Sequence, residues 1–243
     1  MKILLALAVS LILFTSCFGD RVKEKMFEKE DAVEYPELLA QKLDDFPALD
    51  FPYSIDSVFF EADTAMNFEA GNLDIATVKV LSAKLAGDDQ SSREQYYLND
   101  FYRIAQAKQD GTYDSLMNDL DIGMTENASC HTIGRLEFGD TMALVIWEIN
   151  YKSFDACPYF TGHHVLGTLV KAGKVLSCIQ LASREFGADA PMSFEAWQLA
   201  DISAGGELRM KAYSQTDEAE QMVEKEHHTA GYRITNSGFS ILK

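Results

Sequence analysis

The chain has 243 residues, of which 47% are hydrophobic, 24% charged and 11% aromatic. These proportions exclude a collagen-like or a fully disordered chain. Lys and Arg total 21 against 38 Asp and Glu, so the net charge at pH 7 is −17. Such an acidic chain repels phosphate backbones and anionic lipid headgroups. We therefore expect no nucleic-acid partner and no membrane attachment by charge alone.

The first seventeen residues, MKILLALAVSLILFTSC, have the pattern of a secretory leader. One cation, Lys2, precedes an apolar run from Ile3 to Phe14. As a helix this run is roughly 18 Å long, whereas the hydrocarbon core of a bilayer is roughly 30 Å thick. The pattern therefore predicts a signal peptide rather than a membrane span.

The end of this leader, Phe14-Thr15-Ser16-Cys17, resembles the lipobox of bacterial lipoproteins, although the family usually has Leu where this chain has Phe14. The resemblance implies that residues 1–16 are removed and that Cys17 carries acyl chains on its sulfur and its amino group. Such chains bind a protein to the membrane. The expected location is then the cell envelope, on the periplasmic face or the outer membrane. The alternative is a cleaved secretory peptide in which Cys17 has no special role.

Three further cysteines follow Cys17, and an oxidising compartment permits one disulfide between two of them. We favour Cys130–Cys157 because both residues lie in apparent loops, although the sequence does not fix the pairing. Cys178 lies in a strand-like apolar run and is expected to be a small buried hydrophobe.

Charge and apolar patterning divide the mature chain into two parts. Residues 17–34 are dense in charges of both signs and are typical of a tether between lipid and domain. Residues 35–243 predict a single α+β domain, with a helical part at about 35–120 and a β-meander at about 131–243.

Three helices are predicted in the helical part. One begins at Pro36, a residue favoured at the first helical position. A second covers residues 73–86, where apolar residues recur at helical spacing and a β-branched content leaves a strand as the alternative. The third covers 91–109, where Ser91 and Glu94 have the spacing of a capping box.

From about residue 133 the hydrophobic period changes to two, which is typical of strands. Four hairpins with Gly-containing turns are predicted, at residues 139–140, 171–174, 203–206 and 236–238. No helix separates the strands, so the pattern predicts an antiparallel sheet, curved or closed to a half-barrel, with the N-terminal helices packed on it. With a short helical lead followed by hairpins with Gly-containing turns, the mature domain resembles lipoproteins of the Bacteroidota envelope type.

No catalytic signature of a hydrolase, nucleotide-binding loop or redox pair occurs in the sequence. We therefore expect a non-enzymatic binding or interaction module, with an envelope protein or a small ligand as its partner.

The alternative is a zinc-dependent hydrolase or another metal-binding protein. If their strands lie close together, His164 and His228 could converge, with His131 and Cys157 nearby, and imidazole nitrogen and thiolate sulfur are ligands that zinc takes. The ligand spacing is not diagnostic, and histidines at strand ends are ordinarily edge residues. The expectation is accordingly no cofactor, with zinc as the alternative.

Four hydroxyl residues resemble the acceptors of the Asp-Ser/Thr-apolar sequon for general O-glycosylation in bacteria of the Bacteroidota type. They are Ser57, Thr64, Ser115 and Thr141. The alternative is structural, because Asp-Ser and Asp-Thr are also common turn and cap residues.

The lipobox predicts that substitution Cys17→Ala abolishes metabolic labelling of the protein with an acyl-chain probe and releases it from the membrane fraction. A Cys157→Ala variant is the matched control and keeps both the label and the membrane association. Equal labelling of wild type and Cys17→Ala, or a soluble wild-type protein, would refute lipidation.

Overall fold

A computed structural model describes residues 36–63, 72–85, 90–120, 125–153, 159–218 and 221–242. The leader, the tether, Cys17, Thr64 and Cys157 lie outside these ranges, and the predictions on them stay predictions.

The elements in chain order are α1 (Pro36–Leu43), β1 (Tyr53–Ile55), α2 (Ser57–Asp63), α3 (Ile75–Leu81), α4 (Gln90–Asp110), α5 (Tyr113–Asn118), β2 (Thr125–Phe138), β3 (Met142–Ser153), β4 (Tyr159–Lys171), β5 (Lys174–Asp189), β6 (Met192–Ile202), β7 (Glu207–Glu218), β8 (Gln221–Thr235) and β9 (Gly238–Ile241). Within the described residues, no helix is both long and apolar enough to cross a bilayer.

The strands of the described residues form one nine-stranded antiparallel sheet, which confirms the predicted antiparallel meander. Strands β2 to β9 pair in chain order, and β1 pairs with β6. The sheet is open, because β2 and β9 end the series without pairing with each other. All four predicted turns occur between neighbouring strands. Gly173 and Gly206 have φ of 76° and 75° in two of them, a conformation that residues with a Cβ rarely adopt.

The strands are longer than the sequence pattern predicts. Strand β2 begins at Thr125, and β5 continues to Asp189 before a turn at Ala190 and Pro191. The segment 183–195 is rich in charged, Gly and Ala residues and has no clear apolar alternation. Strand pairing with both neighbours, rather than local hydrophobicity, therefore fixes this part of the sheet.

The three predicted helices are present with changed bounds. Helix α1 begins at Pro36, and α4 covers the predicted 91–109. Helix α3 is shorter than predicted: the Asp74 carboxylate accepts a hydrogen bond from the Thr77 amide at its start, and it ends before Ser82. The side chains of the predicted capping box, Ser91 and Glu94, lie outside those described. Helices α2 and α5 were not predicted, because each is at most seven residues long.

Two clusters of buried side chains lie among the described residues. The first combines helix residues such as Leu81 and Leu98 with strand residues such as Trp147, Ile149 and Leu166. We call the face that carries these strand residues the helix-side face. The second cluster combines β1 and α2 with the opposite face of the strands, which we call the cavity face. Its members include Ile55, Phe60, Ile146, Leu169 and Leu181.

A buried hydroxyl connects α3 to the central strands. The Trp147 Nε1 donates to Thr168 Oγ1 at 2.9 Å, and this hydroxyl donates to the Leu81 carbonyl at 2.9 Å. Neither Trp147 nor Thr168 is exposed to solvent. Removing the Thr168 hydroxyl would therefore take this hydrogen bond from both the Trp147 indole N–H and the Leu81 carbonyl.

We predict that Thr168→Val lowers the free energy of unfolding by about 2 kcal/mol, because the isosteric side chain leaves the indole N–H and the carbonyl buried and unsatisfied. Urea denaturation measures the change. The control is Thr229→Val on the exposed part of β8, with an expected change within about 0.5 kcal/mol. Equal effects of both substitutions would contradict this role of Thr168.

Candidate functional site

The cavity face contains an open cavity of about 500 Å³. Strands β2 to β5 and helix α2 contribute to it. Its lining residues are Phe60, Asn127, Ser129, Asn150, Tyr151, Lys152, Thr161, Gly162, His163, Arg184 and Phe186.

Strand register explains why these polar side chains lie together. Residues directly opposite each other on paired antiparallel strands point to the same face of a sheet. One line of such partners is Ser129, Asn150, His163, Arg184 and Trp197, which we call the inner row. A second line, the outer row, is Asn127, Lys152, Thr161 and Phe186. The two rows form the wall of the cavity.

The inner row is supported by a buried carboxylate. The Glu148 Oε2 is 2.5 Å from His163 Nε2, and Glu148 Oε1 accepts a hydrogen bond from the Asn150 amide at 3.1 Å. The side chains of Glu148 and His163 are only 7% and 13% exposed. A carboxylate so deeply buried needs such partners to be stable. Glu148 thereby fixes the positions of two cavity-lining side chains.

Glu148 also affects two neighbouring groups. Burial raises the pKa of the Tyr53 hydroxyl, and the Glu148 charge raises it further. Burial likewise raises the pKa of the Cys130 thiol well above its ordinary value, with a second contribution from Glu148. Both groups therefore stay protonated and neutral at physiological pH, and Cys130 is not a reactive thiolate.

Helix α2 fixes the ring of His163 from the other side. The Phe60 ring meets the imidazole edge to face at 5.1 Å between centroids, and the Phe59 ring is tilted at 5.8 Å. Phe60 also contacts Trp197 edge to face at 5.8 Å. Aromatic pairs in these geometries are favourable, so α2 holds His163 and Trp197 in place.

The Arg184 guanidinium lies over an aromatic ring. Its guanidinium carbon is 4.4 Å from the centroid of Trp197, and its Nη2 donates to Glu195 at 3.4 Å. Trp197 is itself stacked on Tyr213. Stacking orients the planar guanidinium and leaves its N–H groups directed along the plane.

Ser129 and His131 form a second fixed pair on β2. The Ser129 Oγ and His131 Nε2 are 3.0 Å apart, and His131 is buried directly opposite Glu148. Ser129 thus offers the cavity a positioned hydroxyl that can donate or accept a hydrogen bond.

The histidines proposed as zinc ligands do not come together in the structure. His164 and His228 share one face of the sheet, because Ser183, Gln198 and Ala212 connect them as direct partners on successive strands. They lie four strands apart, which corresponds to about 19 Å along the sheet. His228 is exposed, and its Nε2 is 3.5 Å from Glu226 Oε2.

His131 belongs to the cavity face, whereas His164 belongs to the helix-side face. Among the residues that the structure describes, no three His, Cys, Asp or Glu side chains are grouped for metal binding. Cys157 lies outside the described ranges, and zinc stays an untested hypothesis.

His164 instead has buried hydrogen-bonding partners. Its Nδ1 is 2.6 Å from Gln180 Oε1, and its Nε2 is 3.3 Å from the Tyr151 hydroxyl. The Tyr151 ring is stacked on Tyr97 of α4 at 3.4 Å between centroids. We conclude that His164 contributes to packing, and that its neighbour His163 is the histidine of this pair that faces the cavity.

Sequence reasoning missed Glu148, His163 and Arg184 as site residues. One usable signal was present: Glu148 is the only charged residue in the apolar run 141–151. A charge in a central strand indicates either a buried partner or a site. His163 and Arg184 gave no such signal, because adjacent strand residues differ only in which face they occupy.

The remaining predicted positions are placed as follows. Cys130 is buried in strand β2 rather than lying in a loop. Since its proposed partner Cys157 lies outside the described residues, the disulfide stays a prediction. Cys178 is buried, as expected. The glycosylation candidates Ser115 and Thr141 are exposed and Ser57 is half-buried, so their modification also stays a prediction.

We predict that Glu148→Ala lowers the free energy of unfolding by about 3 kcal/mol, because it removes one partner of a buried pair and leaves His163 and Asn150 without their acceptor. Urea denaturation of the variant and of Glu137→Ala measures the difference. Glu137 contacts Arg135 at the surface, and its loss should cost about 0.5 kcal/mol or less. Similar losses in the two variants would show that Glu148 does not support the site.

No protein-family model matches the chain, and comparisons with curated proteins and with solved structures found no match. Function is accordingly inferred from the leader sequence and the geometry of the cavity.

Proposed function

We propose that this chain is a lipid-anchored protein of the cell envelope that binds a small polar ligand in the cavity between the inner and outer rows. The observation that carries the binding part is the convergence of fixed polar side chains on one open cavity. The envelope location rests on the resemblance of residues 14–17 to a lipobox.

The size and lining of the cavity support a small-molecule ligand. A volume of about 500 Å³ lies within the range of roughly 300–1,000 Å³ that is typical of such sites. Phe60 and Phe186 supply aromatic surface, while Asn127, Asn150 and Thr161 supply neutral donors and acceptors. Apolar walls with a few positioned polar groups are the usual combination in ligand pockets.

The polar side chains of the cavity are held in place by their neighbours, which is typical of a ligand-binding site rather than of a solvent-filled surface groove. Glu148 holds His163 and Asn150, and Trp197 holds Arg184. Side chains that are ordered before the ligand arrives lose little conformational entropy on binding. The site therefore gains affinity from contacts that a mobile surface side chain would not provide.

The two faces of the sheet have separate roles in this proposal. Helices α3 and α4 cover the helix-side face, which the buried cluster around Trp147 and Leu166 supports. On the cavity face, β1 and α2 cover one part, and the open cavity beside α2 is left for the ligand. The tether at residues 17–34 would separate the domain from the membrane by up to about 60 Å if fully extended.

Equilibrium dialysis of the full-length chain, purified in detergent, tests the binding proposal. The probes are glucuronate, glucose, indole-3-acetate and indole-3-acetamide, which combine hydroxylated and aromatic bodies with charged and neutral ends. We expect saturable binding of at least one probe. Asn127→Trp places a large ring at the exposed rim of the cavity and should weaken that binding about 10-fold or more, or about 1.4 kcal/mol.

The matched control is Lys211→Trp on the exposed surface of β7, which should leave affinity unchanged. If no probe binds, or if both tryptophan variants bind as the wild type does, the cavity is not a ligand site.

A further inference from the structure

We propose that the ligand is an organic anion, whose carboxylate is bound between Arg184 and Lys152. This inference rests on the proposed function and specifies the class of ligand that the cavity takes. It is carried by the charge of the lining, the geometry of Arg184 and the arrangement of the neutral groups between the two cations.

The lining of the cavity has the opposite charge to the chain as a whole. Acidic residues outnumber basic ones by 38 to 21 in the sequence. Among the residues that the structure describes, the side chains that line the cavity nevertheless include Arg184 and Lys152 and no Asp or Glu. Glu148 lies beside the cavity, where its oxygens accept from His163 and Asn150. A ligand in the described part of the cavity therefore meets neutral groups and two cationic side chains, of which Arg184 also forms an ion pair with Glu195.

Arg184 is oriented to bind a carboxylate. The guanidinium has five N–H donors in one plane, and its central carbon lies over the Trp197 ring, 4.4 Å from the ring centroid. Within the described residues, its only hydrogen bond is from Nη2 to Glu195, at a distance of 3.4 Å. With the side chain 36% exposed, further in-plane donors are accessible to a ligand. Paired N–H groups of this kind match the two oxygens of a carboxylate.

Lys152 supplies the second cation on the other side of strand β4. Lys152 pairs with Thr161, and Arg184 pairs with His163 two residues further along β4. The two cations therefore flank the same short stretch of strand from β3 and β5. The Lys152 ammonium is also 5.9 Å from the centroid of Tyr159, which restricts the direction of its flexible stem.

Neutral groups between and beside the cations fit the rest of such a ligand. The Ser129 and Thr161 hydroxyls and the Asn127 amide can bond hydroxyl groups, and Phe60 and Phe186 offer ring faces. The ligand class is accordingly a small carboxylate with a hydroxylated or aromatic body.

The negative charge of the whole chain opposes this binding only weakly. At physiological ionic strength, charges farther than about 8 Å are largely screened. Arg184 and Lys152 contact the ligand directly in this proposal, so screening weakens their attraction much less than it weakens the effect of distant carboxylates. Local contacts therefore decide affinity, while the net charge chiefly slows association.

Dialysis with matched pairs tests the inference on the full-length chain: glucuronate against glucose, and indole-3-acetate against indole-3-acetamide. The members of each pair share a body and differ in the charged group. We expect the acid to bind at least about 10-fold more tightly than its neutral partner in one pair or both, which is about 1.4 kcal/mol. Arg184→Gln and Lys152→Gln should each reduce this ratio, because each removes one of the two cations proposed to bind the carboxylate.

Arg209→Gln is the control, because Arg209 is an exposed arginine of β7 outside the cavity lining and its loss should not change the ratio. Unfolding curves of all variants show whether they fold. If Arg184→Gln does not fold, Lys152→Gln still tests the inference independently. Equal binding of acid and neutral compounds, or a ratio unchanged in both cavity variants, overturns the anion inference and leaves the proposed function standing. Absence of binding by all four compounds overturns both.

Discussion

The contact between Glu148 and His163 is the interaction on which the rest of the site depends. A carboxylate in the middle of a nearly apolar strand is unstable unless its oxygens are bonded, and His163 and Asn150 provide those bonds. One buried charge thereby positions neighbouring side chains on two strands and leaves them facing a cavity. Burial raises the pKa of the Tyr53 hydroxyl and of the Cys130 thiol, and the Glu148 charge adds to both shifts.

Strand alternation divides the chemistry of the chain between two faces. His163 and His164 are neighbours in sequence, yet one contacts Glu148 on the cavity face and the other bonds Gln180 on the helix-side face. A shift of register by one residue would exchange their environments. The identity of the site therefore depends on register, which long-range pairing along the strands maintains.

Local sequence signals predicted much of the fold. Glycine turns and period-two apolar runs located the hairpins, because both reflect conformational preferences of a few adjacent residues. The same signals failed for the extended end of β5 and for α2, where pairing and tertiary packing replace a local pattern. For the site, parity relates residues within one strand only, and the separation of His164 from His228 depends on the number of strands between them.

The sequence by itself determined the acidic charge, the order of the strands and the positions of their turns, since these follow from composition and short-range preferences. It also carries the lipobox resemblance that the proposed location depends on. Only the tertiary structure decided which side chains of the site contact each other. Examples are Arg184 over the Trp197 ring and Phe60 against His163. These contacts join residues that are far apart in the chain. Their geometry follows from strand register, strand separation and the packing of α2, which no local sequence pattern specifies.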